Sequence, residues 1–583
     1  TTGDIPTTGL FRPVERPATH GPETMSPAAN ARWQNDAERL VLQGAVAGSH
    51  DQKKMAVEVE KATRKELSKC YIHGPCTRTQ LNNKFGAGRC RVMVRFGVEQ
   101  GSGDSRKVRA IDNAKSALIN GVTATHETIN CISFAWAVIV ARLFMLAAMH
   151  LKVPMPALRI GLDDIRAAYR RIPARTPFFF LIYMAGVGLR YFYMYGHCFG
   201  AVSSVINFNS YPEVMVAMAR VLLAIPCDHY FDDYYIVDIA VALMSGQEGL
   251  DMLHVIVGID LEPDKRKHMD RCHVALGVSV DVGLADTHGA VIARATVDRV
   301  VKILGMLRKA KLNNHLNTGQ ASVVRGKLGF ILEASFSRIG RAATQPLVDR
   351  EYHDDTTSFN KSLDHMLEFF EILLPSLPPL QLPITREARP PLVIYTDAMF
   401  RPAIPARSAS ASSRATAGRP PYSRAAFVVW DPRLRFAFHS DMVLPSAFYD
   451  ALSGDDVTYI LQAEIIAAIA AYTSLPAVCA GRPITHFIDN TGALSLLVHG
   501  YSSRPDCARL VNAFHLLHAQ LRFSVWFEWV PSAANISDLP SRGAYEEFFA
   551  ALPFSVHVPF ILPDFASFQG PLINFANAIA HLG

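Results

Sequence analysis

Apolar and polar positions change their rhythm several times along the chain, and each change marks a boundary. Residues 1–75 open Pro- and Thr-rich (TTGDIPTTGLFRPVERP) and pass into a polar, helix-patterned run at 51–69, which reads as a partly disordered N-terminal extension. From Gly86 to Asp281, alternating apolar runs broken by Gly and Pro are interleaved with helical stretches, the pattern of an α+β domain. From Thr296 to Leu377 the period turns helical (VDRVVKILGMLRKAKL, KSLDHMLEFFEILL), and SLPPLQLPITREARPP follows as a Pro-rich boundary. A further unit opens on the strand LVIYTDA at residue 392 and closes near Gly543, interrupted by an arginine-bearing Ser/Ala loop at 402–424. The run Cys131–Met149 is apolar for 19 residues, but Arg142 in its middle would be costly in lipid, so a buried helix is expected there.

Composition narrows the class. With 583 residues, half of them hydrophobic and 19% charged, the chain predicts several folded domains rather than a disordered polymer. Nine cysteines without C-x-x-C or paired spacing argue for a reducing, intracellular setting and for metal sites made of carboxylates. The net charge of +6 is modest, but its distribution is not: residues 51–120 carry +8, 301–350 carry +7 and 401–425 carry +5, which leaves −14 on the rest. Separate basic stretches on an otherwise acidic chain suit a protein that grips a phosphate backbone at several points.

The most specific stretch is DHYFDDYYIVD, residues 228–238, where Asp232 and Asp233 stand between β-prone residues as at a hairpin tip. Adjacent carboxylates repel, and burying them at a turn is costly unless a cation neutralises them. Upstream, LRIGLDDIRAAYRRIPA ends an apolar run at Asp164, with Ala168 and Tyr169 four and five residues on; CFGAVSSVINFN, with Phe199 and Gly200, lies between. In order and spacing these three segments resemble the palm motifs of reverse transcriptases: D-x-x-x-A-Y, F-G-x-x-S-S-x-x-x-F and Y-F-D-D. The resemblance implies a right-hand polymerase in which Asp164 and Asp232 bind two Mg2+ ions (Mn2+ as the substitute), assisted by Asp233. It also implies that Tyr169 lies under the incoming sugar, with Phe199, Gly200 and Phe231 in the substrate site. Asp163 is the alternative register; Asp164 is preferred because only it has Ala-Tyr at the expected offset. Residues 95–120 resemble the fingers hairpin, making Lys107 and Arg109 candidates for the triphosphate of a dNTP. LEPDKRKHMDRCHVALGVSV resembles the later palm motif, with either Lys265 or Lys267 as its lysine.

Four more acids share a second logic: Asp397 ends the strand LVIYTDA, Glu464 lies in the apolar helical run YILQAEIIAAIAAY, Asp489 ends ITHFIDN, and Asp538 follows SVWFEWV. Strand-end acids and an acid on an apolar helix can converge on one metal cluster. Their order resembles ribonuclease H over residues 390–545. Gly454-Asp455-Asp456 imitates a polymerase tripeptide but lacks a preceding apolar strand, and reads as a helix cap.

The expected architecture is therefore multidomain α+β and α/β: extension 1–75, fingers and palm 76–295, thumb or connection 296–388, a ribonuclease H-like domain 389–545 and a tail 546–583. The resemblance, best to the tyrosine-recombinase (DIRS-like) group of LTR-type retroelements, implies RNA-directed DNA synthesis with degradation of the RNA of the hybrid. Its implied partners are an RNA template, a DNA primer, RNA–DNA hybrid, dNTPs and a recombinase outside this chain, in the cytoplasm or nucleus and without a membrane. The rival reading is a domesticated or decayed copy that binds nucleic acid without catalysis; the intact acids in both constellations speak against it.

Overall fold

The computed structural model describes residues 3–4, 12–14, 26–100, 106–129, 132, 134–335, 337–377, 379–384, 389–403, 420–451 and 458–562. The chain is a mixed α/β protein that divides into two compact units, Thr1–Trp136 with Pro156–Arg271, and Ala137–Met155 with Cys272–Gly583.

In the first unit, residues expected to belong to the extension form two helices. α1 (Pro27–Ala45) starts at the Ser26 cap with Pro27 in its first turn, and α2 (His50–Ser68) starts with a capping box between Ser49 and Gln52. The strands that follow are β1 (His73–Cys76), β2 (Val92–Gln100), β3 (Lys107–Asp112), β4 (Leu158–Asp164), β5 (Pro173–Met184), β6 (Gly188–Gly196), β7 (Cys227–Tyr230), β8 (Asp233–Ile239) and β9 (Lys267–Asp270). They form one sheet of order β1-β6-β5-β2-β3 and another of order β7-β8-β4-β9. α1 and α2 bury Ala37, Val41 and Val59 on the first sheet, and Trp33 donates its indole N–H to the Val92 carbonyl at 2.6 Å. The second sheet carries α3 (Val202–Leu223) and α4 (Ser245–Val257), with Phe208, Met215, Ile236 and Leu250 in their common core.

A buried ionic network ties α2 to the first sheet. Arg95 on β2 donates to both oxygens of Asp112 at 2.7 and 3.1 Å and to Glu66 of α2 at 2.7 Å; Arg170 donates to Glu66 at 2.9 Å and approaches Asp112 at 3.5 Å. Burial works against the charge on Arg95, yet the two carboxylates raise its pKa above the ordinary value.

In the second unit, β10 (Cys272–Ala275), β11 (Val278–Asp281) and β12 (Ala290–Ala295) precede the helices α5 (Val297–Leu312), α6 (Thr318–Glu333), α7 (Gln345–Tyr352) and α8 (Lys361–Leu373). Within the Pro-rich boundary, β13 (Leu380–Pro383) pairs antiparallel with β12. Then come β14 (Leu392–Arg401), β15 (Tyr422–Asp431), β16 (Phe436–Val443), α9 (Ile460–Ser474), β17 (Pro483–Ile488), α10 (Pro505–Leu521), β18 (Ser524–Trp529), α11 (Asp538–Arg542) and β19 (Ser555–His557). The sheet order is β18-β17-β14-β15-β16-β19, with β14–β17 and β17–β18 parallel and β14–β15–β16 antiparallel. Both faces are covered: Phe427 and Val429 of β15 join the core around α9, whereas Val428 between them packs with Phe548. α9 is buried on every side from Gln462 to Tyr472, and that stretch is apolar apart from Gln462, Glu464 and the Tyr472 hydroxyl. Leu516 and Ala519 of α10 enter the core of α5–α8, so these helices and the mixed sheet share packing.

The apolar run at 131–149 becomes a helix, Ala135–Leu151, that is buried on one face only: Ala137, Val138, Val140 and Ala141 are covered, while Ile139, Leu143, Leu146 and Met149 are exposed. The expected buried helix is thus half right, since 17 residues with a 3.6 period turn more than one face outward. Among the described residues no helix is long and apolar enough to cross a membrane.

Candidate active sites

β4 and β8 are neighbouring antiparallel strands, and their register sets Asp164 directly opposite Asp233. The β7–β8 hairpin turns through Phe231 and Asp232, and the Ile165 N–H donates to the Asp232 carbonyl at 2.9 Å, which pins the turn to the end of β4. Asp164, Asp232 and Asp233 therefore gather at one sheet end. Phe231 takes φ 53°, a left-handed conformation that costs a bulky residue roughly 1–2 kcal/mol and is held by the pairing on either side. Burial first, then the charge of Asp164, pushes Asp232 up, while Lys265 and Arg109 pull it down. Asp233 is pushed up to about 7 by burial and by its two acidic neighbours.

The pleat separates the adjacent acids of β4. Asp163 points away from the cluster and accepts from Arg266 at 2.6 Å and Gln247 at 3.2 Å, whereas both oxygens of Asp164 accept from Lys265 Nζ at 2.7 Å. Of the two lysines left open by the sequence, Lys265 is the one on the acid; Lys267 pairs with Leu162 in β9.

A cleft of about 330 Å³ opens beside the cluster, walled by Arg109, Phe199, Asp232, Lys265, Lys65 of α2 and Lys69 at the C-cap of that helix. Lys107 is not among its walls; it lies at the start of β3, opposite Gln100. Gly200 takes φ 111°, and a Cβ there would meet the Asp112 carbonyl oxygen at 2.3 Å, so only glycine lets this turn approach the end of β3. Tyr169 lies behind the cleft wall, its ring edge-on to Phe199 and Phe208 with centroids 5.1 and 4.8 Å apart; burial and the charge of Asp232 push its hydroxyl up to about 12.

The second cluster is built on parallel strands and a buried helix. Asp397 lies within β14 rather than at its end, Asp489 directly follows β17, and Glu464 projects from α9. One carboxylate oxygen from each lies within 4.8 Å of the others, so this triad could hold a metal ion. Asp538 stands apart from the triad at the start of α11, ion-paired with Arg542 at 2.7 Å, although its charge is felt by Asp397. Two serines that the sequence did not single out hold two of these acids: Ser532 donates to Asp489 at 2.8 Å, and Ser541 donates to Asp397. Their only sequence trace is the hydroxyl-rich setting of VPSAANISDLPSR. Burial and then the charges of Asp397 and Asp489 raise Glu464 well above the carboxylate range, and its Oε2 has no hydrogen-bond partner among the described residues.

No protein-family model matches the sequence, and no curated protein sequence matches it. Solved structures do. A foamy viral protease–reverse transcriptase (dRH) in complex with double-stranded DNA is similar over 90% of this chain and 74% of its own, at 11% identity and a TM-score of 0.38. A second complex of the foamy viral protease–reverse transcriptase with double-stranded DNA covers 82% and 83% at 11% identity and a TM-score of 0.39. Its complex with an RNA/DNA hybrid covers 89% and 64% at 10% identity and a TM-score of 0.36.

Burial, opposed by the Ser541 hydroxyl, pushes Asp397 up to about 7, with Asp489 and Asp538 adding to the shift. Because the folded protein holds this proton more tightly than the unfolded chain, the site costs nothing below the unfolded pKa near 4 and its full penalty above about 7. Asp397→Asn should therefore raise the melting temperature of metal-free protein at pH 8 by a few degrees, on the order of 1 kcal/mol, and change it less at pH 5. Equal shifts at the two pH values would show that the carboxylate is not under this strain.

Of the other sequence features, residues 404–419 of the basic loop and the Asp455-Asp456 pair lie outside the described residues, as do residues 563–583 of the tail.

Proposed function

We propose that the chain is a reverse transcriptase with ribonuclease H activity, copying retroelement RNA into DNA and degrading the RNA of the hybrid. The observation that carries this reading is the convergence of Asp164, Asp232 and Asp233 at paired strand ends beside a cationic cleft. The Asp397–Glu464–Asp489 triad supports the nuclease. Both donor sets are all-oxygen, the preference of Mg2+ and Mn2+. The Glu464 Oε2, without a hydrogen-bond partner among the described residues, and the Lys265 ammonium bridging both oxygens of Asp164 mark where positive charge is called for. Two Mg2+ ions per site, when bound, would supply charge neutralisation and activation of the attacking oxygen.

In the polymerase site Asp164 and Asp232 would hold the metals with Asp233 beside them. Arg109 would neutralise phosphate, and the Tyr169–Phe199 pair would shape the sugar pocket. In the nuclease site Ser532 and Ser541 would orient Asp489 and Asp397, and Asp538 would complete the ligand set on leaving its ion pair with Arg542. The retroelement origin, the DIRS-like affinity, the dNTP substrates, a recombinase partner and an intracellular location belong to this proposal.

Primer extension on an RNA template with dNTPs and Mg2+, with labelled RNA to follow its cleavage, tests it; folded protein that does neither sinks it. The sugar pocket has its own test. Tyr169→Ala removes the ring behind Phe199 and leaves the acids in place, so relative kcat/KM for rNTPs should rise roughly 10-fold or more while dNTP incorporation persists. Unchanged discrimination in an active variant would take Tyr169 out of sugar selection.

A further inference from the structure

The sequence assigned residues 51–69 to an extension and looked for triphosphate contacts only on the 95–120 hairpin. The structure puts α2 on the wall of the nucleotide cleft: Lys65 and Lys69 line it with Arg109, Lys265 and Asp232. Lys65 lies in the last turn of α2 and Lys69 is its C-cap residue, and both are exposed. The opposite face of α2 buries Val59 and Thr63, so the lysines are carried on a packed element rather than on a loose strand of chain.

Among the described residues neither lysine has a carboxylate partner, although Lys69 Nζ lies over the Tyr71 ring at 6.0 Å from its centroid. Glu66, between them in sequence, is taken up by Arg95 at 2.7 Å and Arg170 at 2.9 Å. Lys265 is held by Asp164, and Arg170 by Glu66 and Asp112. Among the described residues no carboxylate forms an ion pair with Lys65, Lys69 or Arg109, so three cations face the cleft while its acids are already engaged or belong to the Asp164–Asp232–Asp233 cluster. Arg109 is close enough for its charge to lower the Asp232 pKa, which places the cationic wall alongside the reacting end. A ligand that meets carboxylates at one end and three cations at the other is a nucleoside polyphosphate.

Resting on the polymerase reading above, we propose that Lys65 in the last turn of α2 and Lys69 at its C-cap bind the β- and γ-phosphates of the incoming nucleotide, together with Arg109. The Glu66–Arg95–Arg170 ion pairs position the helix for this role. They tie α2 to β2 and to the segment that carries Tyr169, so the phosphate wall and the sugar pocket are held by one network.

The test uses the full chain with a primer–template and single-nucleotide incorporation under pre-steady-state conditions. Lys65→Ala/Lys69→Ala should raise the apparent Kd for dNTP roughly 10-fold or more and leave the maximal rate within about threefold, as expected for contacts to phosphates that do not react. Primer–template affinity, measured by fluorescence anisotropy at two salt concentrations, should not change, and Lys65→Arg/Lys69→Arg should restore most of the nucleotide affinity. Both lysines are exposed, so melting temperatures of all variants should match the parent. An unchanged dNTP Kd overturns the assignment. A weakened primer–template complex with an unchanged dNTP Kd overturns it too, in favour of a template-strand contact. A parent protein that incorporates no nucleotide overturns the polymerase reading itself, whereas an active parent with an indifferent double variant overturns only the role of α2.

Discussion

Asp232→Asn abolishes primer extension and leaves RNA-strand cleavage intact, and Asp489→Asn does the reverse: that is the expected result for a chain with one acidic cluster in each compact unit. Asp232 occupies the hairpin tip against Asp164 and Asp233, and Asp489 closes the triad with Asp397 and Glu464. Each substitution keeps the side-chain shape and removes one anionic oxygen from its cluster. Changing residues that merely support metal ligands costs about 10- to 100-fold, so loss of a ligand charge should cost at least about 100-fold in the affected activity. The neutral amide also relieves repulsion, since burial and acidic neighbours already push Asp232 up, so the variant should fold. Parallel assays of extension and hybrid cleavage on the same preparations decide it. Loss of both activities from either substitution, in folded protein, would mean a single shared site.

The second large effect is on stability. Arg95→Met should destabilise the first unit by about 3–5 kcal/mol, because it strips the bidentate partner from a fully buried Asp112 and one partner from Glu66. The network holds two arginines and two acids, so removing Arg95 leaves a net buried negative charge. The double variant Arg95→Met/Asp112→Leu should recover most of the loss, since it leaves Glu66 paired with Arg170 at 2.9 Å and no charge unmatched. Urea denaturation of parent, single and double variants measures the coupling. If the single variant costs under about 1 kcal/mol, the network is not what holds α2 on the sheet.

Much of this was legible in the chain, for local reasons. A hairpin tip announces itself when β-prone residues flank a short polar pair, and Asp232 and Asp233 stand where that pattern predicts. Strand-then-acid segments ending at Asp164 and Asp489 follow from alternation, and an all-apolar helix around Glu464 follows from burial on every side. These patterns are periodic in the sequence because side-chain direction is periodic along a strand or helix.

Where residues distant in sequence had to meet, only tertiary structure could decide. Asp163 and Asp164 are identical in composition and neighbours in sequence; the pleat sends one to Arg266 and the other to Lys265, and the pairing with β8 decides which acid joins Asp233. Lys265 and Lys267 could not be ranked until β9 placed Lys267 in a sheet register. Lys65 and Lys69 fall in a run that reads from sequence as an extension, and nothing within that segment reveals that Glu66 is consumed by Arg95 and Arg170, 29 and 104 residues away. Asp538 likewise needed the fold to be placed: its carboxylate pairs with Arg542 four residues on, next to the three acids whose oxygens lie within 4.8 Å of one another. Periodicity along the chain reports which way a side chain faces. Which partners it faces depends on strand order and helix docking, and these are set by burial summed over the whole unit rather than by any local run of residues.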